Sequence, residues 1–116
     1  MRTLIFTLAL LAPLHLFALE LVMVEQPGCY YCKKWQADIG PIYPKAHVAQ
    51  DAPLRIEQLS AVADDIELER PVIYTPTFLL VEDGVELSRI EGYQSEDFFW
   101  ALTEGMVAKA LETAND

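Results

Sequence analysis

Apolar and polar positions alternate along this chain with two periods, and each change of period marks an element. Leu19-Glu20-Leu21-Val22-Met23-Val24-Glu25 is dense in apolar and β-branched residues and predicts a buried strand. The turn residues Gln26-Pro27-Gly28 close it. From Cys29 the apolar positions Tyr31, Trp35 and Ile39 fall at helical spacing with Lys33, Lys34 and Asp38 between them, a short amphipathic helix stopped by Gly40-Pro41. Residues 41–53 read as an irregular connection with one helical turn, and Leu54 to Leu59 as an alternating strand with one buried face. Ala61 to Arg70 predicts a short polar helix before Pro71. Val72-Ile73-Tyr74 and Thr77 to Val81 read as strand segments on either side of Thr75-Pro76. Glu82-Asp83-Gly84 marks a hairpin, Val85 to Ile90 the returning strand, and Gly92 its end. Ser95 then predicts the N-cap of a last helix whose apolar stripe is Phe98, Phe99, Leu102, Met106, Ala110 and Leu111. Phe98, Phe99 and Trp100 are consecutive, so a narrow stripe cannot bury all three.

Strands alternating with helices, followed by a hairpin and a helix, place the chain in the α/β class. The architecture expected is a mixed sheet of about four strands flanked by helices on both faces. At 116 residues there is room for one such domain.

Residues 1–18 follow a different pattern. Arg2 precedes an apolar run from Leu4 to Leu11, which resumes from Leu14 to Leu19 and passes through the small residue Ala18. This is the layout of a secretory signal peptide, with residues 19–116 as the mature domain. Leu16 fits the small-x-small cleavage rule poorly, so the cut site stays open. An uncleaved membrane anchor is the rival reading. Spanning a bilayer takes about 20 apolar residues, and this run is shorter and interrupted by Pro13 and His15. Cleavage is therefore favoured, with no stable membrane insertion afterwards.

The formal net charge of −10 narrows the partners. Nucleic acid and anionic lipid both call for Lys and Arg clusters, so neither is expected. The chain has two cysteines, Cys29 and Cys32, and two histidines, His15 and His47. On a helix, positions i and i+3 bring Cα atoms to roughly 5–6 Å, inside the range a disulfide accepts. A bridge this local constrains the unfolded chain very little, so a redox role is favoured over a merely structural one. With Cys29 at a helix start, unpaired backbone N–H groups and the dipole would stabilise its thiolate. Cys29 is then the exposed nucleophile, and Cys32, one turn inside, the resolving thiol. A c-type haem site would need His in place of Lys33, and a closed zinc site would need ligands this chain lacks once residues 1–18 are removed. No cofactor and no metal are expected. Thr75-Pro76 interrupts strand-like sequence, where a trans proline on an edge strand is the ordinary local reading. His47 reads as a surface residue.

Pro27-Gly28-Cys29-Tyr30-Tyr31-Cys32 opening a helix after an apolar strand, with Tyr74-Thr75-Pro76-Thr77-Phe78 downstream and then Gly84 and Gly92, resembles the thioredoxin superfamily across the mature region. Leu21 to Cys29, Pro41-Ile42-Tyr43-Pro44-Lys45 and Glu91-Gly92-Tyr93 are similar, more narrowly, to the periplasmic SoxS-type thioredoxins of bacterial sulfur-oxidation systems. The resemblance implies that Pro76 is a cis-proline beside the active site and that Thr75 offers its backbone to an extended substrate. Tyr30 and Tyr31 would join that partner-binding surface. It further implies a periplasmic, monomeric protein-disulfide reductase recharged by a membrane thiol-electron transporter. The chain departs from ordinary thioredoxins in having Tyr30-Tyr31 between the cysteines and Met23 where a buried acid is usual, with Glu25 closer to Cys29. A disulfide oxidase or isomerase, or a non-catalytic Cu(I)-binding carrier using both thiolates, are the alternative readings.

Overall fold

In the computed structural model, residues 3–5 and 18–114 are described; most of the segment read as a signal peptide lies outside them. The sheet is built on β1 (Leu19–Glu25), with β2 (Leu54–Gln58) parallel on one side. On the other side lie antiparallel β3 (Thr77–Glu82) and then β4 (Val85–Glu91), giving the order β2-β1-β3-β4. Because β1 has a neighbour on each edge and apolar cover on each face, its sequence lacks strand alternation. Asp83 and Gly84 join β3 to β4 with φ of 49° and 79°, the paired left-handed residues that a two-residue hairpin needs.

One face carries α1 (Tyr30–Asp38) and α4 (Glu96–Ala114). Leu21, Met23, Phe78 and Leu80 point to this side, where Trp35, Ile39, Tyr43, Phe99 and Val107 complete the core. The opposite face presents Val22, Val24, Leu79 and Val81 to the four-residue α3 (Val62–Asp65) and Ile66. The connection after α1 holds a 3-10 turn at Tyr43–Lys45 and a second helical turn, α2 (Val48–Asp51), one more turn than the sequence predicts. No helix of the described residues is long and apolar enough to cross a membrane.

Four expectations need correction. Val72-Ile73-Tyr74 is not a strand: β3 begins only at Thr77, since Pro71 and Pro76 remove ladder donors on both sides. The helix expected over residues 61–70 shrinks to α3, which the chain leaves through an extended Ile66. In α1 the buried stripe is Cys32, Trp35 and Ile39, while Tyr31 is exposed. In α4 the buried positions are Phe99, Thr103 and Val107, with Phe98 and Leu102 turned outward. Ser95 Oγ accepts from the Phe98 N–H at 3.2 Å and starts that helix.

Candidate active site

Gly28, at φ +79°, turns the chain off the end of β1 in a conformation that residues with a Cβ rarely adopt. Cys29 follows as the N-cap of α1, extended at φ −78° and ψ 107°. Its Sγ accepts the Cys32 N–H at 3.1 Å, so the sulfur takes the place that a serine or aspartate oxygen fills at most helix starts. The two cysteines are joined as a disulfide with Cα atoms 5.2 Å apart. Their environments differ. Cys32 lies in the core beside Trp35, whereas Cys29 is half-buried at its edge.

Charge near the pair is modest. Lys34 bonds Asp38 one turn along at 2.9 Å, and that bond raises the Lys34 pKa and lowers that of Asp38. Tyr93, from the loop after β4, also donates to Asp38 at 3.0 Å. Burial, and then Asp38, push the Tyr93 hydroxyl up to about 12. Lys33 is exposed and makes no ion pair among the described residues, leaving its charge close to the start of α1. Those residues hold no group of three or more His, Cys, Asp or Glu suited to a metal ion.

A second loop meets the first. The register sets Val24 opposite Thr77, so the end of β1 that leads to Cys29 lies beside the start of β3. The Thr75–Pro76 bond is cis and Pro76 is buried, its carbonyl accepting the Gly92 N–H at 2.8 Å. Thr77 Oγ1 donates to the Tyr74 carbonyl at 2.6 Å. Gln26 Nε2 donates to Thr75 Oγ1 at 2.8 Å and ties the two loops directly. Around this junction Tyr30, Tyr31, Ile73 and Tyr74 are 69%, 55%, 71% and 60% exposed, an apolar margin drawn from both loops. Sequence reasoning missed Gln26, Ile73 and Tyr74. The prolines at 71 and 76 were the signal that Ile73 and Tyr74 would be surface loop.

Met23 is fully buried between Ile56 and Phe78 in the sheet. Glu25, two residues on, shares its face. Its carboxylate is gripped by the Gln36 amide of α1 and by Gln58 Nε2 at 2.9 Å.

A thioredoxin-like family model matches residues 20–106. The periplasmic thioredoxin SoxS of Paracoccus pantotrophus, solved in its reduced form, is 44% identical with a TM-score of 0.75. That match covers 79% of this chain and 98% of the other. A thioredoxin of Malassezia sympodialis shares the fold at TM-score 0.53 and 15% identity, over 78% of this chain and 76% of the other. No curated protein sequence matches significantly. With its four-stranded mixed sheet, its Cys29–Cys32 disulfide and a family match over most of its length, the chain belongs to the thioredoxin-like family.

Proposed function

We propose that this chain is an exported thiol–disulfide oxidoreductase that reduces disulfides of periplasmic partner proteins. One observation carries the reading: a half-buried sulfur caps a helix N-terminus, with its redox partner buried one turn behind. A helix N-terminus favours an anion by roughly 0.3–1 kcal/mol, and by up to about 2 kcal/mol where partly buried. Since about 1.4 kcal/mol is a tenfold change in the thiolate-to-thiol ratio, this preference falls on Cys29 and not on Cys32.

In the reduced protein the Cys29 thiolate attacks one sulfur of the partner's disulfide. A new S–S bond forms, and the partner's other sulfur leaves as a thiolate and takes a proton. Cys32, deprotonated, then attacks Cys29 Sγ and releases the second partner thiolate. Two electrons and two protons reach the partner, and the Cys29–Cys32 disulfide is restored. Thr75, Pro76 and the aromatic margin of Tyr30 and Tyr31 hold the partner's segment. A membrane thiol-electron transporter would recharge the pair. Export with removal of the N-terminal segment is supported by the pattern of residues 1–18 and by the periplasmic origin of the similar SoxS protein.

The deciding experiment is the reduction potential of the pair against glutathione. A value near that of reducing thioredoxins, about −270 mV, is expected; one near about −120 mV, as in strongly oxidising enzymes, overturns the donor reading. Cys32→Ser should also accumulate a mixed disulfide with a model protein disulfide, since release then has no attacking thiol.

A further inference from the structure

Glu86 and Arg89 are three apart on β4, a spacing that in a regular strand sends side chains to opposite faces. Here they share a face because the ladder is bulged. Val81 pairs with Glu86 and Leu80 with Ser88, which leaves Leu87 as an extra residue, and Leu79 then pairs with Arg89. Both side chains therefore lie on the side of Leu79 and Val81, at 0% exposure for Glu86 and 4% for Arg89. Arg89 grips the carboxylate with two nitrogens, Nε and Nη2, each at 2.6 Å.

Arg89 Nη1 also lies 3.6 Å from Glu91 Oε1, and the other bonds of the pair go to one stretch of chain. Arg89 Nη2 donates to the Arg70 carbonyl at 2.7 Å and Nη1 to the Pro71 carbonyl at 3.3 Å. Glu86 Oε1 accepts the Glu69 N–H at 3.0 Å. Among the described residues, no backbone–backbone hydrogen bond involves residues 68–75; the nearest lie at Glu67 and at Pro76. Residues 69–71 are thus held by three side chains of β4, Glu86, Arg89 and Glu91, the last accepting from Arg70 Nη2 at 2.9 Å, and Ile73-Tyr74-Thr75-Pro76 follow at once.

A buried ion pair is weak evidence for a stability role, because well-packed apolar residues of similar volume often do as well. What apolar residues cannot supply is donors and an acceptor aimed at particular backbone groups. Bulges are frequent beside active sites, where they re-aim a side chain. The bulge at Leu87 has that effect on this pair.

We propose that Glu86 and Arg89 are positioning residues: they clamp residues 69–71 and so fix the docking segment Ile73–Pro76, setting affinity for protein-disulfide partners and not the reactivity of Cys29. The proposal rests on the thiol-exchange reading of the site.

The test compares the reduced wild-type protein with Glu86→Leu/Arg89→Met, which removes both charges together so that neither is left buried alone. NMR 15N order parameters at residues 73–75, KM and kcat for insulin disulfides, and the rate of Cys29 alkylation by iodoacetamide are measured. The clamp predicts order parameters that fall from the rigid range, about 0.85, to below about 0.6, and a KM raised about fivefold or more, with kcat and alkylation within twofold of wild type. Unchanged order parameters and KM in the folded variant overturn it, as does a fall in kcat with KM unmoved. Arg89→Lys is the second variant. One ammonium cannot serve the carboxylate and both carbonyls, so the same shifts are expected in smaller measure. Failure of both variants to fold would make the pair a purely structural element and overturn the assignment. Should the wild-type protein leave insulin intact, the oxidoreductase reading falls, while the order parameters still decide the clamp.

Discussion

The two faces of the sheet are held by different physics. Behind α1 and α4, Trp35, Phe78 and Phe99 meet with ring centroids 4.9–5.4 Å apart, and Trp100 stacks on Tyr43 at 6.0 Å. The apolar core of the other face is aliphatic, and beside it lie a four-residue helix and the Glu86–Arg89 pair. Large rings bury much area in fixed geometry, which gives the helix carrying both cysteines a firm bed. Directed bonds bury less but choose which backbone groups they hold. The comparison separates tasks: the aromatic face beds the helix that holds Cys32, and the aliphatic face, under the proposed clamp, sets the loop of residues 69–76.

The largest effect should come from emptying the aromatic face. Phe78→Ala is expected to cost about 3–5 kcal/mol in urea unfolding, against about 2 kcal/mol for Val81→Ala on the other side. Equal losses would break the comparison. A smaller effect tests a polar tether on the aromatic side. Tyr43 donates to the buried Ala52 carbonyl at 2.6 Å, and burial raises its pKa. Tyr43→Phe leaves that carbonyl unpaired, so a loss of about 1–2 kcal/mol is expected with Cys29 alkylation unaltered.

The smallest effect is a pH slope on the aliphatic side. Burial opposes ionisation of Glu86, but Arg89 and the Glu69 N–H outweigh it and hold the carboxyl below the usual range. A group with a depressed folded-state pKa contributes stability that is present above its unfolded pKa and lost as pH falls through the folded one. Unfolding free energy should therefore decline on acidification below about pH 4.5, with a shallower slope in Glu86→Gln. Parallel slopes for the two proteins would remove Glu86 from the acid response.

Much of this arrangement was legible in the sequence, for identifiable reasons. The apolar run of β1 and the Asp83-Gly84 turn allow few alternatives, and two cysteines at helical spacing behind Pro27-Gly28 specify their own geometry. Phase was harder to read than period. Phe98 to Leu102 is apolar throughout, so periodicity identifies α4 without saying which ring faces inward; packing against Trp35 and Tyr43 selects Phe99. Tyr31 misled in the same way, because Cys32 takes the inward position. Ile73 and Tyr74 have strand-forming side chains, but the prolines beside them prevent pairing. The Glu86–Arg89 pair was invisible, since a bulge breaks the two-residue period from which faces are inferred.

The central claim is that the fold makes one sulfur of the pair an outward, stabilised anion and buries the other. Alkylating the reduced protein with iodoacetamide across pH 5–9, and following each cysteine by mass spectrometry, tests it most directly. Cys29 should react at least tenfold faster than Cys32 at pH 7, with a midpoint below the free-thiol value of about 8.5. Equal rates, or a faster Cys32, would contradict the account.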